Sequence, residues 1–371
     1  AGLGGSCDDG LACNDNTPAT PFCSLARALA CVNQGPSQAS VAIRLRAGTY
    51  AESGLQLSSE GLSPESPLLL FATPNETAIL SESGSAVILT IDGGDDIHLR
   101  NLHFDLHASG QALMIGSNEV ATQRLRIENC TFTGGSGWAI DAKVVRESDF
   151  IGNTFSGGGR SLLILGSQAA AYPIGGTLES YGNWVIGNTF EPKAGFEDKS
   201  LFYGYSLSTP VGARRGRVHD NFFLGSPISM DSWVDGVDVT DNTFGPSSVS
   251  GNPCDGGLEL NGRNALVSGN KFTCMDPIKS RMEDGTEIPQ GFVDVVISAS
   301  EFEFQDGKPP SPPAAMIPGI TRNRLIPEIS GKPNTARTPL TDRTCPWACA
   351  RRAVPFRQEI SGAGLSRQTC R

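Results

Sequence analysis

Short apolar runs separated by Gly, Asn, Asp and Ser turns fill the middle of the chain, and within them apolar and polar residues alternate with the two-residue period of a strand. One pattern recurs. Gly-Asn-Thr-Phe ends at Phe155 and again at Phe190, Asp-Asn-Phe-Phe at Phe223, Asp-Asn-Thr-Phe at Phe244 and Gly-Asn-Lys-Phe at Phe272. Each match sets an Asn two residues before a Phe, so Asn153, Asn188, Asn221, Asn242 and Asn270 point to the same side as their Phe partners, the interior side. Weaker versions end at Phe104, Phe132 and Leu325. From Phe104 through 132, 155, 190, 223, 244 and 272 the steps are 28, 23, 35, 33, 21 and 28 residues. A loose period with the length differences taken up in loops is the mark of a solenoid.

If successive coils stack about 4.8 Å apart, the Asn side chains form an internal ladder that bonds amide to amide and to turn backbone, so their burial leaves nothing unpaired. The Asn-Phe series, over about residues 41–330, resembles the pectate-lyase-like superfamily of right-handed parallel β-helices, which holds many polysaccharide lyases, hydrolases and epimerases. The resemblance implies an all-β, right-handed parallel β-helix that acts on carbohydrate. It specifies the fold far more than the reaction.

The N-terminal stretch is consistent with that fold. Ser24 is a fair N-cap for an amphipathic helix that places Leu25, Leu29 and Val32 on one face. The run from Thr17 to Leu29, followed by Val41-Ala-Ile-Arg-Leu-Arg-Ala-Gly-Thr-Tyr50, resembles the entry module of secreted β-helix proteins, where the helix caps the open end. Such an end would otherwise expose apolar interior and unpaired strand edge. At the other end Lys308-Pro-Pro-Ser-Pro-Pro313 cannot lie in a central strand. The division read from the sequence is a Cys-rich segment with the capping helix over 1–40, the β-helix over 41–330, and a Pro-, Arg- and Cys-containing tail or cap over 331–371.

Composition narrows the function classes. With 44 Gly and 18% charged residues, the chain has many tight turns and is no helical bundle. A net charge of -10 gives no general nucleic-acid surface, and no apolar run has the length of a membrane span. Ten cysteines without zinc spacing suggest an oxidising compartment and so a secreted protein, and because the sequence opens without a charged and apolar leader, any secretory signal is expected to have been removed ahead of Ala1. Asn75-Glu-Thr and Asn129-Cys-Thr are glycosylation sequons, relevant only in a eukaryotic secretory route.

Cysteine positions test the coil register. Cys254 and Cys274 each lie four residues before a strand start, Leu258 and Ile278, and stacked equivalents fall within disulfide range, which predicts a Cys254–Cys274 bridge. Cys7, Cys13, Cys23 and Cys31 can pair among themselves. Cys130 occupies a ladder position and reads as a buried thiol. Three cysteines in the tail cannot all pair among themselves, so either one is free or intermolecular, making the protein a monomer or an assembly outside the cell through that tail, or Cys130 is less buried than its ladder position implies.

A second strand follows each Asn-Phe strand, and alternation leaves an outer stripe of Met114, Asp141, Lys143, Ile164, Tyr203, Tyr205, Asp231, Trp233, Glu259, Asn261, Lys279 and Arg281. Tyr203, Tyr205, Trp233, Asp141, Lys143 and Asn261 suit substrate binding, since aromatic rings offer flat apolar faces to sugars. Asp231 and Glu259 could hold Ca²⁺ through oxygen. A lyase acting on a uronic acid neutralises the substrate carboxylate, a task for Ca²⁺ or Arg281, and removes the proton beside it, a task for Lys279 if its neighbours lower its pKa. The bland reading, solvated cross-strand pairs, carries about equal weight.

The stretch from Asp220 to Phe272 is similar in texture to the β-helix alginate and chondroitin lyases, but Trp233 stands where they carry a catalytic Lys, and Leu258-Glu-Leu-Asn-Gly262 lacks their Arg. Polygalacturonase-like and epimerase motifs are missing as well. Two alternatives to the lyase follow: a glycoside hydrolase with Asp231 and Glu259 as its carboxylate pair, or an extracellular structural or adhesive protein. His103 and His107, and the acidic turn Asp92-Gly-Gly-Asp-Asp96, are weak metal candidates.

Overall fold

The computed structural model describes residues 7–13, 21–34, 40–58, 63–82, 87–107, 110–117, 120–166, 179–191, 200–204, 213–225, 228–230, 234–246, 257–260, 264–273, 278–279, 296–298 and 301–302. For 202–204, 229–230, 259–260, 278–279, 296–298 and 301–302 it describes the backbone only. The expected tail over 331–371 and the Cys254–Cys274 pair lie outside the described residues.

The chain winds through three long sheets in turn. Sheet I starts with strands Val41–Leu45, Leu68–Ala72 and Ile97–Arg100; sheet II with Gly48–Ala51, Ala78–Ser81 and His103–Leu106; sheet III with Leu55–Leu57, Val87–Ile91 and Gln111–Ile115. Among the described residues sheets I and II have ten strands each and sheet III has nine, and a four-stranded ribbon fills one corner. Every strand bonds in parallel to its equivalent one coil away, as in Val41↔Leu68↔Ile97, and never to the strand that follows it in the chain. This is a right-handed parallel β-helix, the hand favoured for a crossover between parallel strands.

The corner from sheet I to sheet II explains the repeating motif. Asn101, Asn129, Gly152, Gly187, Asp220, Asp241 and Gly269 occupy it in successive coils, all with φ between 53° and 68°. Only Gly, Asn and Asp enter that left-handed region readily, so the motif begins with one of them. The next residue turns inward. Asn153, Asn188, Asn221, Asn242 and Asn270 are at most 1% exposed, and each of the first four side-chain amides donates to the Oδ1 of the Asn one coil on, at 3.0, 2.9, 2.9 and 3.0 Å along the series. The same Oδ1 atoms accept the backbone N–H of the preceding coil's Asn. Cys130 takes the place of an amide one coil earlier, and its N–H donates to Asn153 Oδ1 at 2.9 Å.

Two residues further on, Phe104, Phe132, Phe155, Phe190, Phe223, Phe244 and Phe272 stack with centroid separations of 4.6–5.1 Å. That spacing is the coil rise, so one Phe per coil fills its share of interior without a gap. Each is at most 2% exposed, a burial worth about 1.5–3 kcal/mol.

The N-terminal end is closed by α1, Leu25–Val32, with the Ser24 side chain accepting from Arg27 N–H at 3.1 Å as its N-cap. Leu25 and Leu29 are 1% exposed and join the core of the solenoid. Disulfides Cys7–Cys23 and Cys13–Cys31 pair the four N-terminal cysteines among themselves. No helix among the described residues is long and apolar enough to cross a membrane.

Candidate carbohydrate face on sheet III

The residues expected to carry chemistry belong to sheet III, whose later strands are Trp138–Lys143, Arg160–Leu165, Leu201–Gly204, Ile228–Met230, Leu258–Leu260 and Ile278–Lys279. Ile140, Leu162, Leu201, Ile228 and Leu258 form a fully buried inner row. One step over, the outer row runs Thr90, Met114, Asp141, Leu163, Phe202, Ser229, Glu259, Lys279. Five strand intervals separate Asp141 from Lys279, about 24 Å of sheet. Glu259 and Lys279 are direct register partners at one end of this row.

The register corrects part of the expected stripe. Ile164, expected outside, is fully buried, and Tyr203 pairs with Ile164 and Met230 in that same row, not in the row of Asp141. Phe202 stands in Asp141's row instead. The cause lies in strand starts: Leu162 and Leu201 take the inner row set by Ile140, so counting from Phe202 as an inner residue slips the alternation by one. No feature within Phe202-Tyr-Gly-Tyr205 signals this; alignment of Leu201 under Leu162 would have. Tyr205, Asp231, Trp233, Asn261 and Arg281 lie outside the described residues. Leu258 and Ile278, from which Cys254 and Cys274 were counted, are register partners.

Asp141 and Lys143 are the two described side chains of the stripe that carry charge. They project from the same strand two residues apart, with Lys143 Nζ 3.6 Å from Asp141 Oδ2, and the side chains are 26% and 13% exposed. Burial pushes the Asp141 carboxyl up from its ordinary value, and Lys143 opposes this only in part. Asp141 Oδ1 is sealed from solvent and has no hydrogen-bond partner among the described residues. Leu163, beside it in the outer row, is 7% exposed, so the carboxyl sits in apolar surroundings on a nominally outer face.

Other candidates resolve as structural. Asp96 accepts Arg124 Nε and a terminal guanidinium nitrogen, both at 2.8 Å, which commits the acidic turn to an ion pair. His103 Nε2 is 3.0 Å from Thr133 Oγ1, and His107 Nε2 is 3.3 Å from Ser81 Oγ. Among the described residues no group of three or more His, Cys, Asp or Glu side chains could hold a metal ion. The row supplies one carboxylate position, Glu259, beside a Lys position, which alone does not make an oxygen-rich Ca²⁺ site.

The stacked parallel coils, the inward Asn-Phe corner and the helical cap define a right-handed parallel β-helix. No protein-family model matches the chain, and no curated protein matches it in sequence. Among solved structures it is similar to PfbA, a surface adhesin of Streptococcus pneumoniae, at 14% identity over 77% of each chain with a TM-score of 0.50. It is also similar to the GH136 lacto-N-biosidase from Eubacterium ramulus, at 11% identity over 80% of this chain and 66% of that one, TM-score 0.45. For the PL6 family alginate lyase AlyGC the values are 13% identity, 70% of this chain, 40% of that one and a TM-score of 0.38. At these identities the likeness concerns the fold alone.

Proposed function

We propose that this chain is an extracellular polysaccharide-binding β-helix protein that holds its ligand along the outer face of sheet III and acts there as a lyase on an acidic glycan. The observation that carries the reading is the single outer row that runs on from Asp141 to Glu259 and Lys279. A straight row about 24 Å long suits an extended polymer better than a small molecule. The two N-terminal disulfides support an oxidising location.

In the elimination, a base takes the proton on the carbon beside the uronate carboxylate, the neighbouring C–O bond breaks, and a carbon–carbon double bond forms as the freed oxygen takes up a proton. Lys279 is assigned the base and Arg281 the neutralisation of the substrate carboxylate. A carboxylate next to an ammonium group favours the charged amine, so Lys279 can accept a proton only when Glu259 is engaged elsewhere. Asp231 together with Glu259 would be the set to bind Ca²⁺. No step is routed through a metal.

The test is absorbance of the unsaturated uronate product during incubation with alginate, pectate, glucuronan and glycosaminoglycans, with and without Ca²⁺. A rise that Lys279→Ala or Arg281→Ala abolishes is the expected result. New reducing ends without absorbance would instead indicate hydrolysis through Asp231 and Glu259. Neither signal on any substrate would leave a binding or adhesive protein.

A further inference from the structure

We propose that Asp141 and Lys143 together form a subsite for the carboxylate group of a uronic-acid unit. The inference rests on the reading of sheet III as a glycan face and names what one part of that face recognises. Asp141 serves the subsite in its neutral form, as a hydrogen-bond donor, and Lys143 supplies the charge.

Three observations lead there. The carboxyl has one oxygen, Oδ1, with neither solvent nor, among the described residues, a hydrogen-bond partner, an arrangement that costs an ionised group far more than a neutral one. The strands on both sides place no charge against it: Gln111–Ile115 contributes Met114 and Arg160–Leu165 contributes Leu163 as register partners, while Arg160 lies at the far end, beside Trp138. Among the described residues Lys143 is thus the charged neighbour, and at 3.6 Å from Oδ2 it stands beyond a direct hydrogen bond. Burial, the largest influence on the carboxyl, favours the proton-bearing state.

An anionic oxygen arriving between Nζ and Oδ2 would meet an ammonium group and, when Asp141 is protonated, an O–H donor. Both bonds are charge-assisted, the stronger class of hydrogen bond. With Asp141 ionised, the same position sets two carboxylates against each other. A sugar hydroxyl gains much less from Lys143 and loses little when Asp141 ionises. The pair therefore discriminates acidic from neutral glycans, and does so more strongly as pH falls.

The experiment measures equilibrium binding of polygalacturonate and alginate fragments, with dextran fragments as the neutral control, by the full chain at pH 5 and pH 8. Wild type is expected to bind the acidic fragments ~10-fold more tightly at pH 5, and dextran equally at both. Asp141→Asn keeps an N–H donor without the charge, so it should bind tightly at both pH values. Lys143→Met, which keeps most of the side-chain stem, should lose ~10-fold at both. Thermal unfolding of each variant confirms that it is folded. If Asp141→Asn retains the pH dependence, or Lys143→Met binds as wild type does, the subsite is overturned while the glycan face stands. If wild type binds none of the acidic fragments, the glycan-face reading falls and takes the subsite with it.

Discussion

Asn188 Nδ2 donates to Asn221 Oδ1 at 2.9 Å, and that same oxygen accepts the Asn188 backbone N–H at 2.8 Å. One amide thus ties its neighbour's backbone and side chain together, and Nδ2 also reaches Phe150 O at 2.8 Å. The coils are joined inside the solenoid as well as through their sheets.

Asn188→Leu should therefore destabilise the protein by about 3 kcal/mol, because the Asn153 N–H and side-chain amide lose their acceptor inside the core. Asn188→Asp keeps the acceptor and removes the donor, so it should also destabilise, through the carbonyl of Phe150. Urea unfolding reads both as a lower midpoint at unchanged slope. A midpoint within error of wild type for the Leu variant would mean that the sheets alone carry coil stacking.

Cys130 is the ladder residue that is not an amide, 1% exposed, with its thiol pushed up to about 12 by burial. A thiolate is the reactive form, so Cys130 should resist alkylation by iodoacetamide at pH 8 in the folded protein and react on unfolding. Peptide mapping by mass spectrometry isolates this cysteine from the others. Rapid labelling in the native state would show that this corner of the solenoid opens locally.

How far the sequence revealed the molecule follows from where its constraints are local. A left-handed corner residue, an inward amide and an inward ring lie within four consecutive positions, so the corner between sheets I and II was readable from Gly-Asn-Thr-Phe alone. Sheet III has no such marker. Its strands begin after loops of different length, so the register row that Ile164 and Tyr203 occupy depends on which residue aligns with Ile140, a relation between coils and not between neighbours in sequence. The Asp141–Lys143 proximity was implied by two-residue spacing, but the apolar surroundings that raise the Asp141 pKa depend on Leu163, from the next coil. Within the expected catalytic end of the row, the register of Glu259 and Lys279 is described, and the remaining partners lie outside the described residues.

His98 stands on sheet I beside Arg126, its register partner, and burial together with that guanidinium lowers its pKa from 6.5. The folded protein keeps the ring neutral where the unfolded chain would take a proton. The sign follows: stability is full above about 6.5 and is lost as pH falls through that value towards the lowered folded pKa. His98→Gln cannot titrate, so its stability relative to wild type should rise as the pH is taken from 8 to 5. Urea midpoints at four pH values would show it, and a constant difference would assign the acid response to other groups.

The cap gives the last prediction. Glu52, at the end of the first coil's sheet II strand, accepts the backbone N–H groups of Leu25 and Ala26 at 2.8 and 2.7 Å, so a carboxylate of the solenoid satisfies the first turn of α1. Anions at a helix N-terminus are favourable, and these two donors have no acceptor within the helix. Glu52→Ala should cost about 1–2 kcal/mol, and it should do so locally. If α1 serves to cover the first coil, hydrogen exchange in Glu52→Ala speeds first at Ile43, Leu45, Leu55 and Leu57, whose side chains belong to the core that Leu25 and Leu29 complete. Cys13→Ser/Cys31→Ser removes the tie on the helix from the other side, and the chain-entropy model gives a loss of about 3 kcal/mol. Combining it with Glu52→Ala separates two pictures. Losses that add mean that carboxylate and disulfide hold independent parts of the cap, whereas a combined loss smaller than the sum means that either change alone already releases the helix. The second outcome is expected, because both contacts act on one eight-residue element that has little stability of its own away from the solenoid.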